Sequence, residues 1–102
     1  MNYHIQYNPQ SIKDLKEVLS FLYEIHPDLP RRFRSLLAEN FEDLDKNPER
    51  WSPLSNGIRA IRMNLSKRLS YYCFYKFYEQ ESKILILRII PQKADPDQWP
   101  KD

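Results

Sequence analysis

The chain has 102 residues, of which 41% are hydrophobic and 14% aromatic, and its formal net charge at pH 7 is +2. This composition excludes a disordered chain, and the length predicts a single domain over residues 1–102 that needs neither a metal nor a disulfide to fold. No run approaches the ~18 consecutive apolar residues of a membrane span, and the first ten residues do not resemble a signal peptide. Together with the single Cys73, these features predict a cytoplasmic protein without membrane association.

The charge is distributed unevenly along the chain. Residues 1–49 contain six Lys or Arg and nine Asp or Glu, whereas residues 50–93 contain nine Lys or Arg and two Asp or Glu. Residues 94–102 have a net charge of −2. The basic second half is typical of a protein that binds a polyanion or an acidic partner. The alternative, which stays open, is that these Lys and Arg side chains only solvate the exposed face of a sheet.

The first half of the sequence predicts a strand followed by two helices. Residues 3–7 alternate large apolar and polar side chains, which is the period of a half-buried strand. Asn8 is a suitable N-cap and Pro9 suits the first helical position, and a second helix is predicted from Asp28, or just after it, to Asn47. Each helix has an apolar stripe at helical spacing: Ile12, Leu15, Val18, Leu19, Leu22 and Tyr23 in the first, and Phe33, Leu36, Leu37, Phe41 and Leu44 in the second.

The second half predicts an antiparallel three-stranded meander. Residues 47–57, with two prolines and an Asn-Gly pair, are expected to form a loop. Strands are predicted at 58–63, 69–78 and 84–90, and an extended tail at 91–102. The predicted fold class is therefore α+β, in the order β-α-α-β-β-β, with an antiparallel helical hairpin packed on a small, mainly antiparallel sheet. The first strand must also pair with a later part of the chain.

The residue types present exclude several kinds of chemistry. One glycine cannot form a phosphate-binding loop, and two histidines with one cysteine cannot supply a zinc site of usual spacing, so no metal or cofactor is predicted. Asp14 and Glu17 are expected on exposed helix faces, as charges that aid solubility and not as a catalytic pair. Cys73 is expected to be packed and unreactive.

Cations and aromatic rings are mixed in the predicted sheet. Cations hold phosphates and rings stack on bases, so the mixture suits RNA or single strands. The alternative is that the tyrosines are strand formers packed on the helices. Alternation along the strands places Arg62, Tyr72 and Lys76 on one face, and these three are favoured as functional. The other candidates for contact with a target or with RNA are Arg59, Arg68, Arg88 and Trp99.

Several local segments occur in an order that is known from one family. They are Tyr-His-Ile-Gln-Tyr-Asn-Pro at 3–9 with Asp-Leu at 14–15, the strands at 57–62, 68–75 and 84–90, and Asp-Pro-Asp-Gln-Trp at 95–99. In this order and spacing they resemble the RelE/ParE toxin superfamily of type II toxin–antitoxin systems, including its plasmid-stabilisation members. The resemblance covers residues 3 to 99.

The resemblance implies a growth-inhibiting toxin that a cognate antitoxin neutralises by wrapping its sheet and helices. ParE-type members bind and poison DNA gyrase, and the function expected for the chain is growth inhibition by binding a target such as gyrase. The alternatives are a RelE-type endoribonuclease, which cuts mRNA on the ribosome without metal by attack of the RNA 2′-OH, and a degenerate member without toxicity. Without its antitoxin, the exposed apolar surface of such a toxin favours a homo-oligomer.

The nuclease residues of the family match this chain only in part. Arg62 lies where the nucleases have a basic residue, while Tyr72 and Lys93 stand at positions that usually hold arginine. Trp99 stands where many nucleases have a tyrosine or histidine, and an indole cannot transfer a proton at neutral pH. The resemblance therefore leaves Arg62, Tyr72 and Lys93 as the candidate catalytic residues, and it favours a toxin that acts by binding.

Overall fold

A computed structural model describes residues 3–100, apart from the side chain of Ser55. Residues 1, 2, 101 and 102, which the predicted domain and tail include, lie outside the described residues. The elements follow the chain as β1 (His4–Tyr7), α1 (Pro9–Ile25), α2 (Leu29–Lys46), β2 (Pro53–Ser55), β3 (Ile58–Ser66), β4 (Leu69–Tyr78) and β5 (Lys83–Pro91), with short 3-10 turns at Glu79–Glu81 and Pro96–Gln98. The predicted α+β class and the order of the predicted elements are confirmed.

The strands form one mixed sheet in the order β1-β5-β4-β3-β2. Strands β3, β4 and β5 make the predicted antiparallel meander. Strand β1 pairs in parallel with β5, from His4 opposite Lys83 to Tyr7 opposite Ile86. Because β1 ends at Tyr7, the outer edge of β5 beyond Ile86 is left for the first helix to cover.

The segment between α2 and β3 contains a strand where the sequence predicted only a loop. Strand β2 pairs antiparallel with the start of β3. A strand of three residues that begins with proline is too short to show the alternation of apolar and polar side chains. Only its pairing with β3 identifies it as a strand. Arg59 on β3 also holds the segment, because its guanidinium donates to the carbonyls of Glu49 and Trp51 at 3.2 and 2.5 Å.

Helix α1 begins as the sequence predicts. The Asn8 side chain accepts a hydrogen bond from the backbone N–H of Ser11 at 2.8 Å, and Pro9 occupies the first helical position. The Asn8 side chain thereby satisfies one of the N–H groups that every helix leaves free at its first turn.

The helical hairpin buries one face of the sheet. Its fully buried residues include Leu22 of α1 and Phe33 of α2, which pack against strand residues such as Ile86. The predicted stripe of α1 is wrong at its two ends, since Ile12 and Tyr23 are 44% and 62% exposed. Helix α1 packs along a line that faces the sheet more directly, and this line is formed by Ser11, Asp14, Val18 and Leu22.

The opposite face of the sheet is covered only in part. Ile58, Phe74 and Ile90 form a small buried cluster there, and Tyr72 and Trp99 pack against it. The residues after β5 fold back over this face, with the Pro96–Gln98 turn placing Trp99 on the sheet. Neither helix within residues 3–100 has the length and apolar character of a membrane span.

Candidate binding site

The register of three strands brings cations together at one end of the sheet. Ser66 pairs with Leu69, so Lys67 and Arg68 alone form the turn between β3 and β4. The N–H of Gln92 donates to the carbonyl of Ser70 at 2.8 Å, which extends the pairing of β4 past the end of β5. The chain that follows β5 therefore begins beside the β3–β4 turn.

This end of the sheet contains a cavity of about 480 Å³, called here the basic cavity. Four cations line it: Arg62, Lys67, Arg68 and Lys93. The other lining residues are Phe21, Leu69, Ser70, Tyr71, Pro91 and Gln92. The structure thus brings together three residues that the sequence singled out, Arg62, Arg68 and Lys93. It adds Phe21 of α1, which sequence reasoning missed because an exposed aromatic residue on an amphipathic helix has no distinguishing pattern.

The four cations of the basic cavity have no anionic partner among residues 3–100. No hydrogen bond or ion pair joins their side chains to another residue within the described range 3–100. A concave surface lined by charges of one sign concentrates the electrostatic field and attracts oppositely charged groups. The basic cavity is therefore suited to binding an anionic group.

Groups that could transfer a proton are scarce in the basic cavity. Its described lining contains no histidine and no carboxylate, and its one phenol belongs to Tyr71. Tyr71 is only 3% exposed, and burial raises the pKa of its hydroxyl. Tyr75, which also lies on β4, is fully buried, donates to the carbonyl of Pro48 at 2.6 Å, and has its pKa raised by burial to about 12. General acids and bases work best when their pKa lies near the operating pH, so neither hydroxyl is suited to that role.

A second cavity, called here the aromatic cavity, adjoins the first at Arg62, which lines both. Its volume is about 310 Å³. Tyr72, which pairs with Arg62 across β3 and β4, lies 5.8 Å from Trp99 between ring centroids. The predicted residues Tyr72 and Trp99 are thus wall residues that pack on each other. The remaining lining residues are Trp51, Ser52, Leu54, Ala60 and Phe74.

Two other candidate residues lie outside both cavities. The guanidinium of Arg59 binds loop carbonyls and lies 5.2 Å from the ring centroid of Phe77. Lys76 shares a face with Tyr72, as the alternation of β4 predicts, and its ammonium lies 5.9 Å from the ring centroid of Tyr78. Neither residue lines the basic cavity.

Arg88, which the sequence suggested as a contact residue, forms an ion pair with Asp14. Its Nε and Nη2 donate to the two carboxylate oxygens at 2.8 and 3.0 Å, and its Nη1 donates to the carbonyl of Gln98 at 2.9 Å. Asp14 also accepts from the backbone N–H of Ile89 at 3.0 Å, on the edge of β5 that β1 leaves open. The ion pair of Asp14 and Arg88 therefore links α1, β5 and the residues after β5.

The expectation that Asp14 is solvent-exposed was wrong, since only 3% of it is exposed. Burial alone would raise the pKa of Asp14, but hydrogen bonds from Arg88, Gln10 and the N–H of Ile89 outweigh burial and lower it. Two signals in the sequence pointed to this pair. Asp14 lies four residues before Val18, on the stripe that α1 buries, and Arg88 is the one charge in the predicted apolar strand 84–90.

No group of three or more His, Cys, Asp or Glu side chains that could hold a metal ion occurs among residues 3–100. Cys73 is fully buried between the sheet and the helices, and burial raises the pKa of its thiol to about 12. A thiol reacts as its thiolate, so Cys73 is a packed core residue, as the sequence predicts.

The fold of this chain is also found in solved structures of other proteins. It is similar to the chromosomal ParDE toxin–antitoxin system from P. aeruginosa, with a TM-score of 0.65, 15% identity, and coverage of 87% of this chain and 95% of that chain. A mutant of E. coli RelE in the free state gives a TM-score of 0.63 at 10% identity, over 93% of this chain and 88% of that one. The RelBE2 toxin–antitoxin complex from Mycobacterium tuberculosis gives a TM-score of 0.59 at 19% identity, over 90% of this chain and 100% of that chain.

The sequence identifies the family. The model of the ParE toxin of the type II toxin–antitoxin system parDE matches residues 5–96. The chain therefore belongs to the ParE toxin family and is the toxin of a type II toxin–antitoxin system. No curated protein matches it in sequence at a significant level. The predicted membership of the RelE/ParE superfamily is confirmed.

Proposed function

We propose that this toxin arrests bacterial growth in the cytoplasm by binding DNA gyrase, without chemistry of its own. The observation that supports binding is the composition of the basic cavity. It presents four cations without described partners, whereas its lining has no carboxylate or imidazole and only the buried hydroxyl of Tyr71. Such a surface attracts an anionic partner and speeds its association. It does not supply the acid and base that RNA cleavage requires.

A cognate antitoxin is the second partner in this proposal. The similar structures from P. aeruginosa and M. tuberculosis are toxin–antitoxin assemblies. The toxin exposes large apolar side chains that a wrapping antitoxin would cover: Ile12, Phe21, Tyr23, Ile25 and Leu54. Exposed apolar patches also favour self-association, so the toxin alone is expected to form homo-oligomers when the antitoxin is removed.

The gyrase proposal is tested with the purified full-length chain in supercoiling and DNA-cleavage assays. Inhibition of supercoiling, in proportion to the amount of toxin and reversed by an antitoxin, is the expected result. Unchanged supercoiling and cleavage at saturating toxin would contradict gyrase as the target.

Ribosome-dependent mRNA cleavage is the alternative, and one observation favours it. Arg62, Arg68 and Lys93 come from separate parts of the chain and meet in one cavity. Cations grouped in this way stabilise the charge that develops when a 2′-OH attacks a phosphate. After induction of the toxin without antitoxin, new 5′ ends within codons of ribosome-bound mRNA, lost with Arg62→Ala, would support cleavage. Growth arrest without new ends would count against it.

A further inference from the structure

The basic cavity is apolar as well as cationic. Phe21 is 54% exposed and lines the same cavity as Arg62, Arg68 and Lys93. Leu69 and Pro91 add further apolar surface. A ligand that fills this space gains from neutralising the cations and from covering the ring of Phe21.

The aromatic surface of the cavity is limited to one accessible ring. Proteins that bind single-stranded nucleic acids stack successive bases on several exposed aromatic rings along a cationic groove. Here the second ring of the basic cavity, Tyr71, is 3% exposed and packs edge-on against Phe33, with ring centroids 5.1 Å apart. The rings of Tyr72 and Trp99 pack on each other in the neighbouring cavity. The basic cavity therefore suits a protein segment better than a run of stacked bases.

We infer that the basic cavity binds an acidic segment of the target protein, in which a Glu or Asp side chain adjoins an apolar one. The inference rests on the proposed function and specifies how the target is recognised. The carboxylate lies among the four cations, and the apolar neighbour covers Phe21. A cavity of about 480 Å³ holds a few side chains and not a folded domain, so the segment is an exposed loop or terminus.

The two arginines and the two lysines have different roles in this arrangement. A guanidinium presents paired N–H groups that match the two oxygens of a carboxylate, whereas an ammonium acts as a point charge. Arg62 and Arg68 are therefore expected to orient the carboxylate, while Lys67 and Lys93 add attraction. Replacement of either arginine by lysine is expected to weaken binding even though the charge is kept.

The test uses the full-length toxin and a short fluorescein-labelled peptide in which glutamates flank a phenylalanine, with fluorescence anisotropy as the measurement. A matched peptide with glutamine in place of glutamate measures the charge dependence, and one with alanine in place of phenylalanine measures the apolar contact. The expected result is that Arg62→Ala/Arg68→Ala weakens binding roughly tenfold or more. The matched control Lys13→Ala/Lys16→Ala removes two exposed charges of α1 outside the cavity and should bind as the unmodified chain does.

A second variant, Phe21→Ala, tests the apolar contact. It should weaken binding of the phenylalanine peptide and leave that of the alanine peptide almost unchanged, since the two apolar groups contact each other. Equal binding of the glutamate peptide by the unmodified chain and the arginine variant would overturn the inference. So would tighter binding of a single-stranded RNA of equal charge through Arg62 and Arg68. If the arginine variant still inhibits gyrase, the basic cavity is not where the target docks, and the proposed function is unaffected.

Discussion

Two groups of cations in the basic half of the chain have opposite surroundings. The side chain of Arg88 is 23% exposed and is held by the buried carboxylate of Asp14, whereas Arg62, Arg68 and Lys93 are exposed and have no partner in the described chain. Counting the charges in the sequence does not distinguish Arg88 from the other three residues. The paired cation connects parts of the fold, whereas an unpaired cation in a concave surface is available to a ligand.

Removal of the Asp14 carboxylate is expected to have the largest effect on stability. Asp14→Ala leaves the guanidinium of Arg88 and the N–H of Ile89 without their acceptor, and the expected loss is roughly 3–5 kcal/mol in the free energy of unfolding. Glu17→Ala, one turn further along α1 at an exposed position, is the matched control and should change it by less than about 0.5 kcal/mol. Urea denaturation followed by circular dichroism measures both, and equal losses would contradict a structural role for Asp14.

The same carboxylate predicts how stability depends on pH. Hydrogen bonds outweigh burial and lower the folded-state pKa of Asp14, so its contribution is complete above the ordinary aspartate pKa of about 3.9. The contribution is lost as the pH falls through the lowered folded-state pKa. Between about pH 5 and pH 2 the unmodified chain should lose stability more steeply than Asp14→Ala. Parallel curves for the two proteins would contradict the low pKa.

Removal of the Trp99 side chain is expected to have an intermediate effect. Its ring packs on Tyr72 and Phe74, with centroids 5.8 and 5.4 Å away, and thereby fixes the residues after β5 to the sheet. Because the side chain is partly and not fully buried, Trp99→Ala should cost about 1–2 kcal/mol, less than a fully buried tryptophan. Gln98→Ala is the control, since the contact with Arg88 uses the carbonyl of Gln98 and not its side chain. Thermal denaturation should separate the two variants, and identical midpoints would argue against this packing.

The smallest effect is expected for the hydroxyl of Tyr75. Tyr75→Phe removes the hydrogen bond to the carbonyl of Pro48 and should cost about 1 kcal/mol, without any effect on growth arrest. Tyr23→Phe, at a residue that is 62% exposed, is the control for stability. Loss of toxicity in Tyr75→Phe at unchanged stability would instead indicate that this hydroxyl has a catalytic role.

Features of the fold that depend on residues close together in the sequence could be predicted. The cap at Asn8 and Pro9, the inner part of the α1 stripe and the alternation that places Arg62 and Tyr72 on one face are all local patterns. Strand β2 could not be predicted, because its three residues are defined by their pairing with β3. The parallel pairing of β1 with β5 joins segments some 80 residues apart, so no local pattern identifies the partner.

The sequence could predict which types of residue form the candidate site, but it could not predict how these residues are placed relative to one another. Lys93 approaches the β3–β4 turn only because Gln92 continues the pairing of β4, and this follows from the register of two strands. The separation of Arg88 from the other cations depends on Asp14, which lies 74 residues away in the chain. A charge in an apolar strand and a carboxylate on a buried helical stripe are the sequence signal that such a pair exists.

We propose that the unpaired cations of the basic cavity, and not the basic character of the chain as a whole, cause toxicity. The most direct measurement is bacterial growth after induction of the toxin without its antitoxin. We expect Arg62→Ala/Lys93→Ala to abolish growth arrest while the protein remains folded, and Lys13→Ala/Lys16→Ala, with the same loss of charge, to arrest growth fully. Equal growth arrest by the two variants at equal protein levels would contradict the account.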